Sequence, residues 1–288
     1  MTPEEYCEDK AASSGSSFYY SFLFLPAEKR RAITAVYAFC REVDDVVDEC
    51  HDADIAYSKL EWWRSEIEQT FVGKANHPVG RALSRVLENF SLPREYFLEI
   101  IDGMEMDLGQ TRYASFTDLS LYCYRVASVV GLMAAEIFGY QDRATLKYAH
   151  NLGMAFQLTN ILRDVKEDAE RGRIYLPQDE LTRFGVSDED ILQLRRTDAT
   201  RELMSYQALR AREYYAKAFD LLPEQDRYTQ RTGLIMAAVY LTILNNIESD
   251  SNQVLSHRVS LNSLHKLWLA WRTARMEKGR YKKFHAAE

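Results

Sequence analysis

The chain has 288 residues, of which 47% are hydrophobic, and it carries a formal net charge of −7. This size and apolar content suit one large domain or two small ones with a substantial core. The negative charge argues against a nucleic-acid-binding protein, which would be basic. An anionic substrate would need recruited positive charge, for which metal ions are the obvious candidates. Glycine (12) and proline (6) are scarce, so few strands or long linkers are expected.

Helical periodicity dominates the chain, and Pro26 stands where a first-turn proline fits. Apolar residues at helical spacing predict helices at 27–49, 53–72, 77–90, 93–109, 116–139, 142–170, 188–194, 199–222, 226–249 and 261–275. Gly172, Pro177 and Gly185 interrupt the pattern, so 171–186 is predicted to be a long loop. No alternating strand pattern and no internal repeat stands out. The fold is therefore predicted to be all-α, with negligible strand content.

One largely apolar stretch, Leu119–Tyr140, raises the question of a membrane span. Arg125 and Glu136 leave only about ten uncharged residues between them, whereas a spanning helix needs about twenty. The segment is therefore predicted to be a buried helix of a soluble protein. The N-terminus lacks the layout of a signal peptide, which favours a cytoplasmic location. One domain is predicted over 1–275, followed by a basic, frayed tail over 276–288, for which solvation is favoured over contact with anionic lipid.

The predicted helix over 27–49 ends in a cluster of acidic residues. Asp44 and Asp48 lie on one face, one turn apart, with Asp45 beside them and Arg41 three residues before Asp44. Two carboxylates one turn apart can hold a divalent cation, and oxygen ligands of this kind suit Mg²⁺ or Ca²⁺. A solvated acidic helix end explains this segment alone equally well.

A second polar row follows in the helix predicted over 142–170. Oxygen-bearing side chains recur there at every fourth residue: Asn160, Asp164 and Asp168. Gln157 lies one turn before Asn160. The nearest basic residues, Arg163 and Lys166, are predicted to project from other faces, whereas a solvated helix would more usually pair its acids with bases one turn away. This second row favours a metal site over a solvated surface.

Two acidic helices that face each other could hold a cluster of Mg²⁺ ions. Such a cluster binds a diphosphate and stabilises it as it leaves, which is the chemistry that ionises allylic diphosphates. Arg41, Arg163 and Arg173 could clamp the diphosphate oxygens. Because the other product is a carbocation, an apolar cavity that excludes water is expected behind the metal ions.

The motifs resemble those of the squalene/phytoene synthase family of head-to-head prenyl transferases. The paired acidic motifs are DDVVD (Asp44–Asp48) and NILRDVKED (Asn160–Asp168). The flanking patterns are SSFYYSFLFLP (Ser16–Pro26), YCYRVASVVG (Tyr122–Gly131) and RIYLP (Arg173–Pro177). The resemblance covers essentially the whole chain, in order. Within the family, the opening segment is most similar to the bacterial presqualene diphosphate synthases of hopanoid biosynthesis.

The resemblance implies a single-domain isoprenoid synthase fold, with helices around a central cavity, and Mg²⁺ as cofactor. The implied metal ligands are Asp44, Asp48, Asn160, Asp164 and Asp168. The implied diphosphate contacts are Ser17, Arg41, Gln157, Arg163, Arg173 and Arg258. Asp45 would support the first cluster at the substrate site. Some relatives have a basic or hydroxyl residue where Gly15 and Ser16 stand, so that stretch departs from the pattern.

The implied reaction joins two farnesyl diphosphates. One ionises, its C1 is attacked by the C2=C3 double bond of the other, and loss of a proton closes the cyclopropane of presqualene diphosphate, with release of diphosphate. The product could pass to a downstream squalene-forming enzyme. Because it is greasy, weak peripheral contact with the inner face of a membrane is also expected, while no nucleic-acid partner is.

Four tyrosines are candidates for roles in this reaction: Tyr37, Tyr122, Tyr175 and Tyr240. An aromatic face can stabilise a cation, and a phenol can relay a proton or bind diphosphate, although a tyrosine on an apolar helix is more often plain core. The resemblance favours catalytic roles for Tyr37 and Tyr122, with Arg163, and substrate contacts for the other two. The small residues of Val126–Ala135 either line a prenyl channel or allow close helix packing.

Other outcomes on the same scaffold stay open. One is full squalene synthesis with NADPH, which the lack of a dinucleotide-binding motif does not exclude. Another is synthesis of dehydrosqualene or phytoene. A third, from a different class, is a non-catalytic lipid-binding or assembly factor. Such a protein would be expected to lose its acidic motifs, and this sequence keeps both.

Overall fold

A computed structural model describes residues 1–13, 21–50 and 52–286, apart from the side chain of His285. The helices have these bounds: α1 Pro3–Ser13, α2 Ala27–Glu49, α3 Ala53–Phe71, α4 Pro78–Leu87, α5 Arg94–Gly109, α6 Phe116–Cys123, α7 Val129–Phe138, α8 Ala144–Arg163, α9 Val165–Glu170, α10 Gln178–Phe184, α11 Asp188–Leu192, α12 Asp198–Leu221, α13 Arg231–Ser249 and α14 Ser263–His285. Tyr124–Ser128 joins α6 to α7 as a π-helical turn, and single 3₁₀ turns cover Glu224–Asp226 and Gln253–Leu255. The described part of the chain contains no strand, so the predicted all-α fold is confirmed.

Several predicted boundaries of helices and loops differ from those in the structure, each for a physical reason. The helix predicted over 142–170 is interrupted at Asp164, whose φ of −102° and ψ of 9° separate α8 from α9. The loop predicted over 171–186 contains the short helix α10, because Pro177 stands as the capping residue before the first turn, where a proline does not prevent a helix. The basic tail over 276–288 is not frayed throughout, because α14 continues to His285.

Two glycines let the central helices cross at close range. A Cβ atom on Gly131 would lie 2.6 Å from the carbonyl oxygen of Ala149, and one on Gly153 would lie 2.6 Å from the Cα atom of Ser128. No side chain fits at such distances, so glycine is required at both positions. The small-residue run therefore does allow close helix packing, one of the two roles that the sequence left open.

The helix from Phe116 to Phe138 is long and apolar enough to cross a membrane by composition, with 44% of its most apolar window buried. Its packing accounts for that composition without a membrane. Tyr122 and Cys123 belong to one buried hydrophobic cluster and Val129 and Met133 to another. Five of its partly exposed residues line an internal tunnel, described below: Val126, Ala127, Val130, Gly131 and Ala134. The helix thus forms the boundary between the two halves of the core.

Candidate active site

The two acidic rows border one polar cavity. Asp44 and Asp48 on α2 line it from one side, and Asn160, Asp164 and Asp168 line it from the other. The cavity has a volume of about 780 Å³. The chain therefore brings together two motifs that lie far apart in sequence, in the shared cavity that the sequence predicted.

The first row is held by nearby basic residues. Arg41 donates to Asp44, and it also donates to Asp45 at 2.6 Å. Lys10, on α1, contacts Asp45 at 2.8 Å. Asp45 therefore faces two cations of the protein and does not line the cavity, so its supporting role at the substrate site stays a prediction.

The second row is also paired with arginine. Arg163 donates to both carboxylate oxygens of Asp164, at 2.8 and 2.6 Å. Arg258, from the segment before α14, reaches the same carboxylate at 2.9 Å. The prediction that Arg163 projects away from this row is wrong, because the interruption at Asp164 turns its carboxylate back toward the preceding residue. Lys166 does project elsewhere, toward Glu170 at 2.7 Å.

Two further arginines come from the segment after α9. Arg171 contacts Asp48 at 2.8 Å and Arg173 lies 3.9 Å from the same oxygen. Arg173 had been predicted, whereas Arg171 was missed. The cavity thus has five arginines in its lining: Arg41, Arg163, Arg171, Arg173 and Arg258. Such a set can bind diphosphate oxygens in several geometries at once.

Asn160 supplies a direct test of whether a metal ion fits. Its amide NH₂ donates to Gln157 at 3.3 Å, while its buried carbonyl oxygen has no hydrogen-bond partner in the described part of the chain. An orphaned buried oxygen beside two carboxylates is a suitable ligand for a hard cation. The described residues contain no group of three or more acidic, His or Cys side chains close enough to chelate an ion alone. Mg²⁺ commonly binds through one or two carboxylates plus phosphate and water, so the donor set fits.

A buried carboxylate that the sequence reading missed lies beside this row. Asp107, on α5, accepts hydrogen bonds from the hydroxyls of Tyr122 at 2.8 Å and Tyr175 at 2.7 Å. The rings of Tyr122 and Tyr175 stack with centroids 5.2 Å apart. Burial raises the pKa of Asp107 to about 6, against the two tyrosine hydrogen bonds, which lower it. Helical spacing in the sequence could have indicated this burial, because Asp107 lies on the same face of α5 as the buried residues Ile100 and Met104.

The carboxylates that line the cavity have raised pKa values, which favours binding of a cation. Burial raises the pKa of Asp44 to about 6, with Asp48 and Asp45 adding to the effect and Arg41 opposing it. Burial, with the charges of Asp164 and Asp107, raises the pKa of Asp168 to about 7. Carboxylates with raised pKa values gain most from a bound cation, because it removes their mutual repulsion.

An apolar tunnel continues from the polar cavity into the core. Four residues line both spaces: Cys40, Val126, Gln157 and Asn160. From Asn160 the tunnel follows α8 back to Tyr148, twelve residues or about 18 Å of helix. It runs along the opposite wall from Val126 to Phe138. The small-residue run therefore also lines an apolar space, while its role as a channel for a prenyl chain stays a prediction.

Of the remaining two predicted tyrosines, Tyr37 lines this apolar path, whereas Tyr240 is not part of its lining. Tyr37 lines the tunnel and meets the ring of Phe22 edge-on, with centroids 6.1 Å apart. Tyr240 is buried, packs against Phe156 at 4.8 Å and hydrogen-bonds with Arg163. Ser17 and the neighbouring Gly15 and Ser16 lie outside the described residues. The other predicted site residues line the polar cavity, apart from Asp45.

Comparison with known proteins agrees with this geometry. The squalene/phytoene synthase family matches residues 11–265. The 15-cis-phytoene synthase of Synechocystis sp. is 38% identical over 290 residues, covering 94% of this chain and 85% of that protein. The chloroplastic phytoene synthase of an Oncidium hybrid cultivar is 38% identical over 269 residues, or 91% of this chain, which spans 64% of that protein's length.

Solved structures show the same fold. A dehydrosqualene synthase in complex with a ligand has a TM-score of 0.82 at 31% identity, covering 96% of this chain and 97% of that one. The squalene synthase HpnC from Alicyclobacillus acidocaldarius has a TM-score of 0.78 at 30% identity, covering 86% of this chain and 93% of that one. The chain belongs to the squalene/phytoene synthase family. The predicted family is thereby confirmed, whereas its presqualene diphosphate subgroup is not, since the relatives at 38% identity are phytoene synthases.

Proposed function

We propose that the protein joins two molecules of geranylgeranyl diphosphate head to head and forms phytoene, releasing two diphosphates. The observation that carries the proposal is one continuous space in which a polar cavity, with two acidic rows and five arginines, opens into an apolar tunnel. An extended isoprene unit spans about 5 Å, so a C20 chain needs about 20 Å and a C15 chain about 15 Å. The α8 segment that forms one wall, about 18 Å from Asn160 to Tyr148, is longer than an extended C15 chain and close to the length of a C20 chain.

Each part of the space has a task in this reaction. Mg²⁺ held by Asp44 and Asp48 on one side and Asn160 and Asp164 on the other would neutralise the departing diphosphate. The arginines bind and orient its oxygens. The apolar walls exclude water from the allylic cation, and the face of Tyr37 can stabilise it.

The bonds balance without a reductant. Ionisation breaks the C1–O bond of one substrate, and the electrons leave with diphosphate. The C2=C3 bond of the second substrate attacks C1, and a proton leaves to close a cyclopropane. Ionisation of the remaining diphosphate, rearrangement and loss of a second proton give the hydrocarbon. The released diphosphate can accept each proton, which suits a site where none of the described histidines lines either space.

The second candidate is the reaction that the sequence resemblance implied, which stops at presqualene diphosphate from two farnesyl diphosphates. Two solved relatives, the squalene synthase HpnC and the dehydrosqualene synthase, at 30% and 31% identity, support coupling of C15 substrates, although neither is named for a reaction that stops at presqualene diphosphate. The phytoene proposal rests on 38% identity over most of the chain. Hand-over to a squalene-forming enzyme would follow only from the second candidate.

A product assay decides between these functions. The purified protein is incubated with Mg²⁺ and either geranylgeranyl or farnesyl diphosphate, each with and without NADPH, and products are identified by mass spectrometry. The proposal expects phytoene from the C20 substrate, with or without NADPH and not after chelation by EDTA. Presqualene diphosphate from the C15 substrate, with the C20 substrate untouched, would establish the second candidate. No diphosphate release from either substrate would favour a non-catalytic protein.

A further inference from the structure

Helix α14 carries an apolar face that no described element covers. Leu264, Leu267, Trp268 and Trp271 recur at spacings i, i+3, i+4 and i+7, so they share one side of the helix. Their exposed fractions are 79%, 39%, 49% and 52%, whereas Leu269 on the other side is 7% exposed. Two exposed tryptophans beside two exposed leucines form a contiguous patch of the kind that marks an interaction surface.

The same helix concentrates positive charge. It contains seven lysines and arginines and one acid, Glu277, in a chain whose net charge is −7. Glu277 is buried and pairs with Arg227 at 2.8 Å, so it does not offset the outward charges. Arg275 and Lys278 follow Trp271 at i+4 and i+7 and extend the apolar face with a basic one. The exposed side of α14 is thus apolar in its first half and cationic in its second.

The position of α14 places this face near the mouth of the site. Arg258, which contacts Asp164 at 2.9 Å, lies five residues before Ser263. Five residues span at most about 17 Å, so the helix begins close to the polar cavity. Its other end lies near the start of α13, since Tyr281 stacks on Tyr228 with centroids 4.5 Å apart. The apolar half therefore belongs to the end of the molecule where the cavity lies.

We propose that the exposed face of α14 docks the protein on an anionic lipid bilayer. Tryptophan and leucine side chains insert at the boundary between headgroups and acyl chains, and basic residues bind lipid phosphates, as in helices that lie in the plane of a membrane. An anionic surface matches the charge of this face. A second copy of the same face would instead add like charge, which disfavours self-association there.

Docking goes beyond the proposed reaction and does not depend on it. If the proposed function is correct, docking holds the mouth of the site near the bilayer, where prenyl diphosphates and a hydrocarbon product partition. The binding test below uses no substrate, so its outcome is distinguishable from failure of the product assay.

Vesicle binding provides the test. The full chain is mixed with vesicles of phosphatidylcholine alone or of phosphatidylcholine with phosphatidylglycerol, and bound protein is measured by flotation. A Trp62→Phe background leaves Trp268 and Trp271 as the exposed fluorophores. We expect binding to the anionic vesicles that weakens with salt, together with a blue shift of the fluorescence. Weak or absent binding is expected for phosphatidylcholine alone.

Two double variants locate the contact. Trp268→Ser/Trp271→Ser removes the apolar anchors, and Arg275→Glu/Lys278→Glu reverses two charges. Because each basic residue near an anionic leaflet contributes about fivefold in affinity, the reversal should weaken binding at least about twentyfold. Lys59→Glu/Lys74→Glu changes the net charge by the same amount on exposed residues elsewhere, and should retain most of the binding. Circular dichroism confirms that each variant is folded.

Several results would overturn the proposal. One is failure of the wild-type chain to bind anionic vesicles at low salt. Another is binding by both α14 double variants that equals the binding of the wild type. A third is a loss of binding in Lys59→Glu/Lys74→Glu as large as the loss in Arg275→Glu/Lys278→Glu. A wild-type oligomer that dissociates in the tryptophan variant, with no vesicle binding by either, would assign the face to self-association instead. Analytical ultracentrifugation measures that outcome.

Discussion

The Arg171 guanidinium donates to the carboxylate of Asp48 at 2.8 Å, and this contact joins residues 123 positions apart in the chain. It connects the segment after the second acidic row to the first row. Arg171 and Asp48 are 54% and 32% exposed, so the pair lies where solvent screens it. An exposed ion pair contributes little to stability, typically below about 1 kcal/mol. We infer that its value lies in placing a cation at the mouth of the cavity.

Replacement of Arg171 should therefore separate stability from substrate binding. For Arg171→Ala we expect a loss of less than about 1 kcal/mol in the free energy of unfolding and a rise of at least about fivefold in KM, since a charge-assisted contact to diphosphate is lost. Urea unfolding and steady-state diphosphate release measure the two effects. Arg201→Ala is the matched control, because Arg201 pairs with Asp198 at 2.8 Å on the exposed surface of α12. An unchanged KM in Arg171→Ala would remove Arg171 from the site.

The acidic rows should be needed for turnover and not for folding. We expect Asp44→Ala and Asp164→Ala each to reduce kcat at least about a hundredfold, because each removes one of the proposed ligands of the Mg²⁺ that would stabilise the departing charge. Both variants should remain folded, but Asp164→Ala should lower the unfolding temperature more than Asp44→Ala, because it leaves the largely buried guanidinium of Arg163 without its carboxylate partner. Asp220→Ala, on the exposed end of α12, is the control. Full activity in either row variant would reject the assignment of these residues to metal binding.

The raised pKa values predict an unusual pH dependence of stability in the metal-free protein. Burial raises the pKa of Asp44 and Asp107 to about 6 and that of Asp168 to about 7. Over that range the folded chain holds protons that the unfolded chain has already released near pH 4, so stability falls as pH rises through it. Mg²⁺ favours the deprotonated ligands and should restore the stability.

Urea unfolding near pH 5 and near pH 7.5, with EDTA or with Mg²⁺, measures this effect. With EDTA, the midpoint should be lower at the higher pH, and Mg²⁺ should narrow the difference. In Asp44→Asn/Asp168→Asn the difference with EDTA should shrink, because two of the three titrating groups are gone. A midpoint that rises with pH in the metal-free wild type would contradict the prediction.

The acidic rows were predictable from the sequence because the spacing of neighbouring residues determines which side chains share a helix face. Asp44 and Asp48, like Asn160 and Asp164, lie one turn apart on a helix, and helical spacing alone places each pair on one face. Which residues meet across the cavity is not local information. The contact of Arg171 with Asp48 depends on how the segment after α9 folds back, and the pairing of Arg163 depends on the interruption at Asp164.

Asp107 shows a second limit of sequence reading. Helical spacing placed it on the buried side of α5, but a single acid on an apolar stripe can equally be a helix-end residue that reaches solvent. Its burial is tolerated because two hydroxyl donors come from other elements, Tyr122 on α6 and Tyr175 beyond α9. Only the tertiary fold brings the three together.

This three-residue cluster should be a local source of stability. Tyr122→Phe and Tyr175→Phe each remove one of the hydrogen bonds that Asp107 accepts, and each should cost about 1–3 kcal/mol in the free energy of unfolding. In both variants the pKa of Asp107 should rise further, since these hydrogen bonds lower it. Tyr140→Phe is a control, because it removes a hydrogen bond to Glu136 nearer the surface and should cost less. Equal losses of unfolding free energy in all three variants would show that the buried cluster contributes no more to stability than a hydrogen bond near the surface.

The length of the tunnel should decide the length of the substrate. Ala134 lines it eight residues beyond Val126, which corresponds to about 12 Å of helix from the polar cavity. A ring at that point leaves too little room for an extended C20 chain and enough for most of a C15 chain. We expect Ala134→Phe to lower kcat/KM for geranylgeranyl relative to farnesyl diphosphate by at least about tenfold. Leu121→Phe, which adds a ring at an exposed position of α6, should leave the ratio unchanged.

Replacement of Tyr148 should lengthen the accepted substrate, whereas Ala134→Phe should shorten it, because Tyr148 lies at the far end of the same tunnel. Its ring is 1% exposed, and its hydroxyl has no hydrogen-bond partner in the described part of the chain. Tyr148→Ala removes this floor and should admit a C25 diphosphate that the wild type rejects, at a cost of about 3–5 kcal/mol in stability from the cavity it creates. Competition between C20 and C25 substrates, analysed by mass spectrometry, measures the change. If the substitution leaves the longest accepted chain unaltered while the protein stays folded, the tunnel does not end at Tyr148.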